Sequence, residues 1–217
     1  IVHESGHEWW GNSITTNDIA DMWVHESFCT YSEVLYVECI YGYQRMLSYV
    51  NNQKRRVIND KPIIGPYDVN REGSSDMYSK GANLLHTIRQ IADDDEKWRK
   101  TLRGLNKTFY HKTVTTAEIE NFISESLNID LSSVFDQYLR DVRIPVLEYE
   151  IKDGFLKYRW NDVIENFKMP VKIIIDETPM VINPTKNYKK IAFADDELIV
   201  DKNFYIFSKN LTIKEAL

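Results

Sequence analysis

The chain has 217 residues, 43% of them hydrophobic, and a net charge of −6 with an isoelectric point near 5.4. That length allows one large domain or two small ones, and that composition is enough to build a core. The acidic balance offers no basic patch for nucleic acid or an anionic membrane, and no run of eighteen apolar residues provides a membrane span.

The chain opens on Ile1-Val2-His3-Glu4-Ser5-Gly6-His7-Glu8-Trp9-Trp10, which contains His-Glu-x-x-His, and Glu26 follows His7 with eighteen residues between them. Helical positions four apart differ by about 40° and about 6 Å, so His3 and His7 project from one face. Two imidazoles and one carboxylate make the three-ligand open site of a catalytic zinc. Glu4 points beside the metal, where it serves as a base for water whose pKa zinc lowers from about 15.7 to about 7. A lone helical histidine is more often a packing residue, and the motif also arises by chance. Glu26 is the independent feature that argues otherwise. It lies in a second helical pattern, where Met22, Trp23 and Cys29 at i−4, i−3 and i+3 form an apolar stripe that turns it inward. A buried carboxylate needs a partner, and the histidine pair supplies one through a metal.

Residues 12–18 read as a polar turn. A long helix follows from residue 19 or 22 to residue 40, and Gly42 ends it. The two cysteines, Cys29 and Cys39, lie ten apart on it; a rise of about 15 Å is too far for a disulfide, so both read as free packing thiols. Residues 43–57 carry a helical stripe of Met46, Leu47, Val50 and Val57. Residues 59–75, with Pro62, Gly65, Pro66 and Gly73, read as irregular, and a loop of that length is often functional.

Residues 76–92 form a helix carrying Tyr78, Leu84, Leu85, Ile88 and Ile91. The run Asp93-Asp94-Asp95-Glu96 suits the start of another helix through Trp98, Leu102 and Leu105, and it lacks the alternation and glycine of a calcium loop. Thr115-Thr116-Ala117-Glu118 gives a capping-box start for Ile119, Phe122, Ile123 and Leu127, and residues 131–139 add a short helix. The character changes at Arg143-Ile144-Pro145. Residues 146–151 read as a strand, Lys152-Asp153-Gly154 as a hairpin turn and 155–160 as its partner. Further strands at 171–176, 180–182, 189–193, 198–201 and 204–207 suggest a small β-sandwich. The expected class is α+β, with a helical lobe over 1–141 and a β-sandwich domain over 142–217. Asn106-Lys107-Thr108 and Asn210-Leu211-Thr212 match the glycosylation triplet, a weak signal without evidence of secretion.

Three segments together carry a resemblance. His3-Glu4-Ser5-Gly6-His7-Glu8-Trp9-Trp10-Gly11-Asn12 is similar to the zinc helix of the M1 (gluzincin) aminopeptidases, HExxHQWFGN. Trp23-Val24-His25-Glu26-Ser27-Phe28-Cys29-Thr30-Tyr31 resembles that family's WLNEGFATY, and Met77-Tyr78-Ser79-Lys80-Gly81-Ala82 resembles its VYEKGA. The resemblance spans most of residues 1–140. It implies the helical lobe of a thermolysin-like catalytic domain with a β domain after it, and a zinc aminopeptidase acting on peptide substrates. Zn2+ would sit on His3, His7 and Glu26, with Glu4 as general base and Tyr78 as the hydroxyl that stabilises the oxyanion. A phenol with a reference pKa near 10 stays protonated and can donate there. The loop over 59–75 would lie near the substrate cleft or act as a plain connector.

Glu8, His25 and Ser27 replace the family's glutamine, asparagine and glycine, and none removes a ligand. His25 lies about 100° round the helix from Glu26 and is not expected to ligate. With the first ligand at position 3, the chain is expected to be a piece of a longer polypeptide whose N-terminal part is its partner. That part would carry the GAMEN-type strand that anchors the substrate amine; nothing similar occurs here. The piece alone is then expected to bind zinc and to have little peptidase activity. Two other functions compete: a leukotriene-A4-hydrolase-like epoxide hydrolase on the same scaffold, and a non-catalytic binding module. Intact His3, Glu4, His7, Glu26 and Tyr78 argue against the module. The compartment is not legible in the sequence.

Overall fold

The computed structural model describes residues 1–175 and 177–212. The fold is α+β. Its helices are α1 (Val2–Gly6), α2 (Trp23–Tyr41), α3 (Tyr43–Lys54), α4 (Ser79–Ala92), α5 (Asp95–Thr108), α6 (Thr116–Leu127) and α7 (Ser132–Phe135), with a π turn over Asp136–Arg140. Helix α2 is the hub, since α1, α3 and α4 all pack on it. Trp23, Val24, Phe28, Tyr31 and Val34 are buried along it, following the helical period. Gly42 ends it at φ 83°, a left-handed conformation that a side chain would resist.

The local signals act as their chemistry requires. Asp94 accepts from Lys97 N and opens α5, so the acidic run is a helix start. Thr115 and Glu118 make the reciprocal capping box that opens α6. Asp95 also joins Glu38 in holding the buried Arg89 guanidinium, with contacts of 2.7 and 2.5 Å. The 59–75 loop is pinned by backbone bonds from Ile63 and Ile64 to Leu139 O and from Gly65 to Ala20 O. Buried Asp21 accepts from Tyr67 in this loop and from Thr116 at the start of α6.

Two expectations need correction before the strand region. Residues 14–16 are not part of a turn: Ile14–Thr16 forms β1, paired in parallel with β2 (Lys112–Val114). Three residues are too few to show alternation, and the partner lies far along the chain. Cys39 is exposed, so it is no packing thiol; Cys29 is buried, and both are free.

In the strand region, β3 (Val146–Lys152) and β4 (Phe155–Asn161) pair through a two-residue Asp153-Gly154 turn with φ of 53° and 75°. The other strands are β5 (Val171–Ile175), β6 (Thr178–Ile182), β7 (Lys189–Ala192), β8 (Ile199–Val200) and β9 (Phe207–Asn210). They form one sheet in the order β7-β4-β3-β9 and a second in the order β6-β5-β8. Leu147, Leu156 and Trp160 of the first sheet and Val171 and Ile173 of the second are buried in one core with the helices. The end of the expected 171–176 strand, Asp176, lies outside the described residues.

The last strand begins at Phe207, not 204. Phe204 and Tyr205 are buried as pegs in the helical part: Tyr205 N donates to Thr87 Oγ1, and Tyr138 OH donates to Tyr205 O. Apolar burial against helices gives the same local composition as a strand, so the pattern could not separate them. At the same seam His86, fully buried, meets Asn203 Oδ1 at 2.9 Å through Nε2. Asn203 Nδ2 is spent on Tyr43 OH and Asp201, so His86 Nε2 carries the proton.

Burial pushes the His86 pKa down to about 4. Protonation therefore favours the unfolded chain, where the value is near 6.5. Stability from this group is complete above pH 6.5 and is lost as pH falls toward 4, by roughly 3 kcal/mol. Urea midpoints of the wild type are expected to fall over that window, and His86→Gln should flatten the fall. An equally steep pH dependence in the variant would show that other groups carry it.

Candidate metal centre

Helix α1 lies across the first turns of α2. Gly6 makes this approach possible, since a Cβ there would stand 3.1 Å from Cys29 Sγ. The helical course of α1 extends to His7 as its C-cap residue, so His3 and His7 share a face as the spacing predicts. His3 Nε2 stands 3.0 Å and His7 Nε2 3.7 Å from the same oxygen, Glu26 Oε2. The imidazole rings are 5.0 Å apart and nearly perpendicular. Tyr78 stacks on His3 at 5.8 Å. It sits where a short 3-10 turn (Ser75–Met77) breaks into α4, so its side chain leaves the helix toward α1.

The outer nitrogens of both histidines are engaged as well. His7 Nδ1 donates to Trp10 O at 3.0 Å. His3 Nδ1 has Thr30 Oγ1 and Glu33 Oε1 at 3.5 Å. Glu33 is in turn held by Tyr49 OH at 2.5 Å. With its proton on Nδ1, His7 presents a bare Nε2 lone pair to the Glu26 carboxylate. His3 Nε2 can donate to the same oxygen at 3.0 Å, but the His7 lone pair meets the carboxylate unpaired, and a cation between them turns that repulsion into coordination. The donor chemistry, two imidazoles and a carboxylate held by outer hydrogen bonds, fits zinc.

Glu4 is exposed, in a shallow open depression of about 500 Å³ lined by Ile1, Glu4, Ser5, Glu8 and Trp9. Tyr78 is 41% exposed. Burial raises its pKa, followed by the charge and hydrogen-bonding reach of Glu26 and then the charges of Glu72 and Glu4. The phenol is thus held protonated, as a donor must be. Glu72 is the point at which the 59–75 loop comes within electrostatic reach of the site.

His25 points elsewhere: its Nε2 accepts from Thr16 N at 3.0 Å, which fixes β1 against α2. Burial lowers its pKa, with His7 adding to the shift. Ser27 is buried and donates to Met77 O at 2.6 Å, linking α2 to the turn that carries Tyr78.

The sequence reading missed Glu33 and Cys29. Both had a signal: Cys29 is i+3 and Glu33 i+7 from Glu26, on the same face of α2. The contact of Glu33 with His3 Nδ1 helps to orient the ligand ring, and loss of such an outer partner typically costs 10–100-fold in metal affinity. Glu33→Ala is therefore expected to weaken zinc binding about tenfold or more, measured by competition with a chromophoric chelator. Unchanged affinity would show that Glu33 does not orient His3.

Residues 1–138 match the model of the peptidase family M1 domain. The chain is 27% identical over 169 residues to aminopeptidase N of Lactococcus lactis subsp. lactis, covering 72% of this chain and 20% of that protein. It is 25% identical over 161 residues to glutamyl aminopeptidase of Sus scrofa, covering 69% of this chain and 17% of the relative. In fold it is similar to the crystal structure of Legionella pneumophila aminopeptidase A in complex with aspartic acid. That match has a TM-score of 0.71 and 15% identity, over 95% of this chain and 26% of that one. The chain thus spans about a fifth of the length of the curated relatives it matches.

Proposed function

Because the chain belongs to peptidase family M1, we propose that it supplies the metal-binding lobe of a zinc aminopeptidase, which removes N-terminal residues from peptides. The observation that carries this reading is the approach of both Nε2 atoms to one Glu26 oxygen, at 3.0 and 3.7 Å. Residues 1–141 act as the catalytic lobe and 142–217 as a supporting β domain.

His3, His7 and Glu26 would hold the zinc, which supplies a Lewis acid that polarises a carbonyl and eases the ionisation of water. Glu4 takes the proton from the attacking water and returns it to the departing amine nitrogen. The Tyr78 hydroxyl donates to the carbonyl oxygen of the scissile bond as negative charge gathers there. Cobalt or manganese can substitute in vitro, since the ligand set does not exclude them.

Equilibrium dialysis of the metal-stripped chain is expected to give one zinc per chain, lost on His3→Ala, His7→Ala or Glu26→Ala. The full-length protein is expected to cleave fluorogenic aminoacyl substrates and to leave their N-acetylated forms intact. No zinc uptake, or equal cleavage of blocked substrates, would overturn the reading.

A further inference from the structure

The two histidines are flanked on one side by the Glu26 carboxylate and on another by a thiol. Cys29 lies one turn beyond Glu26 on the same face of α2, fully buried, with Sγ 3.3 Å from His7 Nδ1 and 3.7 Å from Trp10 O. One donor atom each from His3, His7 and Cys29 fall within 4.8 Å of one another, which is a span one ion can bridge. The histidine side chains are 17% and 27% exposed, so an ion arrives across them and the thiol waits beneath.

Donor softness separates the two flanks. Carboxylate oxygen suits hard and borderline ions, whereas thiolate sulfur selects soft ones. We propose that the centre has a second, inhibitory mode in which a thiophilic ion such as cadmium(II) is held by His3, His7 and Cys29, displacing zinc from the shared histidines. On binding, the S–H bond breaks, the sulfur lone pair forms the bond to the metal and that proton leaves to solvent; His7, whose Nδ1 faces the sulfur, gives up its bond to Trp10 O, carries its proton on Nε2 and offers the Nδ1 lone pair to the ion, with no electron transfer. The displacement of zinc and the inhibition rest on the function proposed above; the ligand set of His3, His7 and Cys29 stands on its own distances.

The test uses the metal-free chain carrying Cys39→Ser, so that Cys29 is the one remaining thiol. One equivalent of cadmium is expected to produce ultraviolet thiolate-to-metal charge-transfer absorption. Adding Cys29→Ser or Cys29→Ala should abolish that absorption and weaken cadmium binding at least tenfold more than it weakens zinc binding. Glu26→Gln should keep the cadmium absorption and lose at least tenfold in zinc affinity. Cadmium binding without thiolate absorption, or equally tight binding by both Cys29 variants, would overturn the proposal. If zinc fails to bind while the cadmium absorption persists, the proposed function fails and the thiol mode stands.

Discussion

Glu4→Gln in the full-length protein should lose about 10²–10⁴-fold in kcat while keeping its zinc, the range expected when a positioned general base is removed. Glu4 is exposed and holds no hydrogen bond among the described residues, so its replacement should leave stability within about 0.5 kcal/mol. Gln keeps the size and the polarity and removes only the ability to take a proton. Its loss should therefore appear in turnover with a fluorogenic aminoacyl substrate, with metal content and melting temperature unchanged. A variant that hydrolyses peptides normally would take the base role away from Glu4.

Among the glycines inside helices, Gly81→Ala should be the most damaging substitution. Gly81 is buried in α4, and a Cβ there would stand 1.9 Å from Ser27 Oγ and 2.7 Å from Ser27 Cβ. Ser27 cannot simply rotate away, because its Oγ donates to Met77 O and even its Cβ would clash. Overpacking of this kind costs about 1–3 kcal/mol or more, and the upper end applies where neither side can move. For a chain of this size, about 3 kcal/mol lowers the melting temperature by roughly 6–12 °C.

The functional consequence follows from where the clash falls. Ser27 is next to Glu26, and Gly81 is three residues beyond Tyr78, so pushing α4 off α2 separates the carboxylate from the phenol. Ser27→Gly removes both clashing atoms and leaves Ser27 Cα, which stands 3.6 Å away. The double variant should therefore recover most of the lost stability. A double variant as unstable as Gly81→Ala alone would show that the contact with Ser27 is not the cause.

The helices and their ends were legible because each is written locally. Gly42 stops α2, Asp94 starts α5, and Thr115 with Glu118 starts α6. Asp153-Gly154 needs left-handed backbone at both positions, and that requirement names a hairpin wherever it stands. Strands β1 and β2 were not legible, since each is three residues long and is stabilised only by a partner about a hundred residues away. Phe204 and Tyr205 misled for the opposite reason: their local pattern is that of a strand, but helices α3 and α4 cover them.

By itself, the sequence determined that His3 and His7 share a face, that Glu26 turns inward and that Glu4 stands beside the pair, because helical period alone dictates direction. Only the tertiary structure decided what surrounds them. Glu33 reaches the outer nitrogen of His3, Trp10 O that of His7, and Cys29 lies under the pair, because α1 crosses α2 at Gly6. A crossing is set by packing between elements distant in sequence, and no periodicity within either element encodes it.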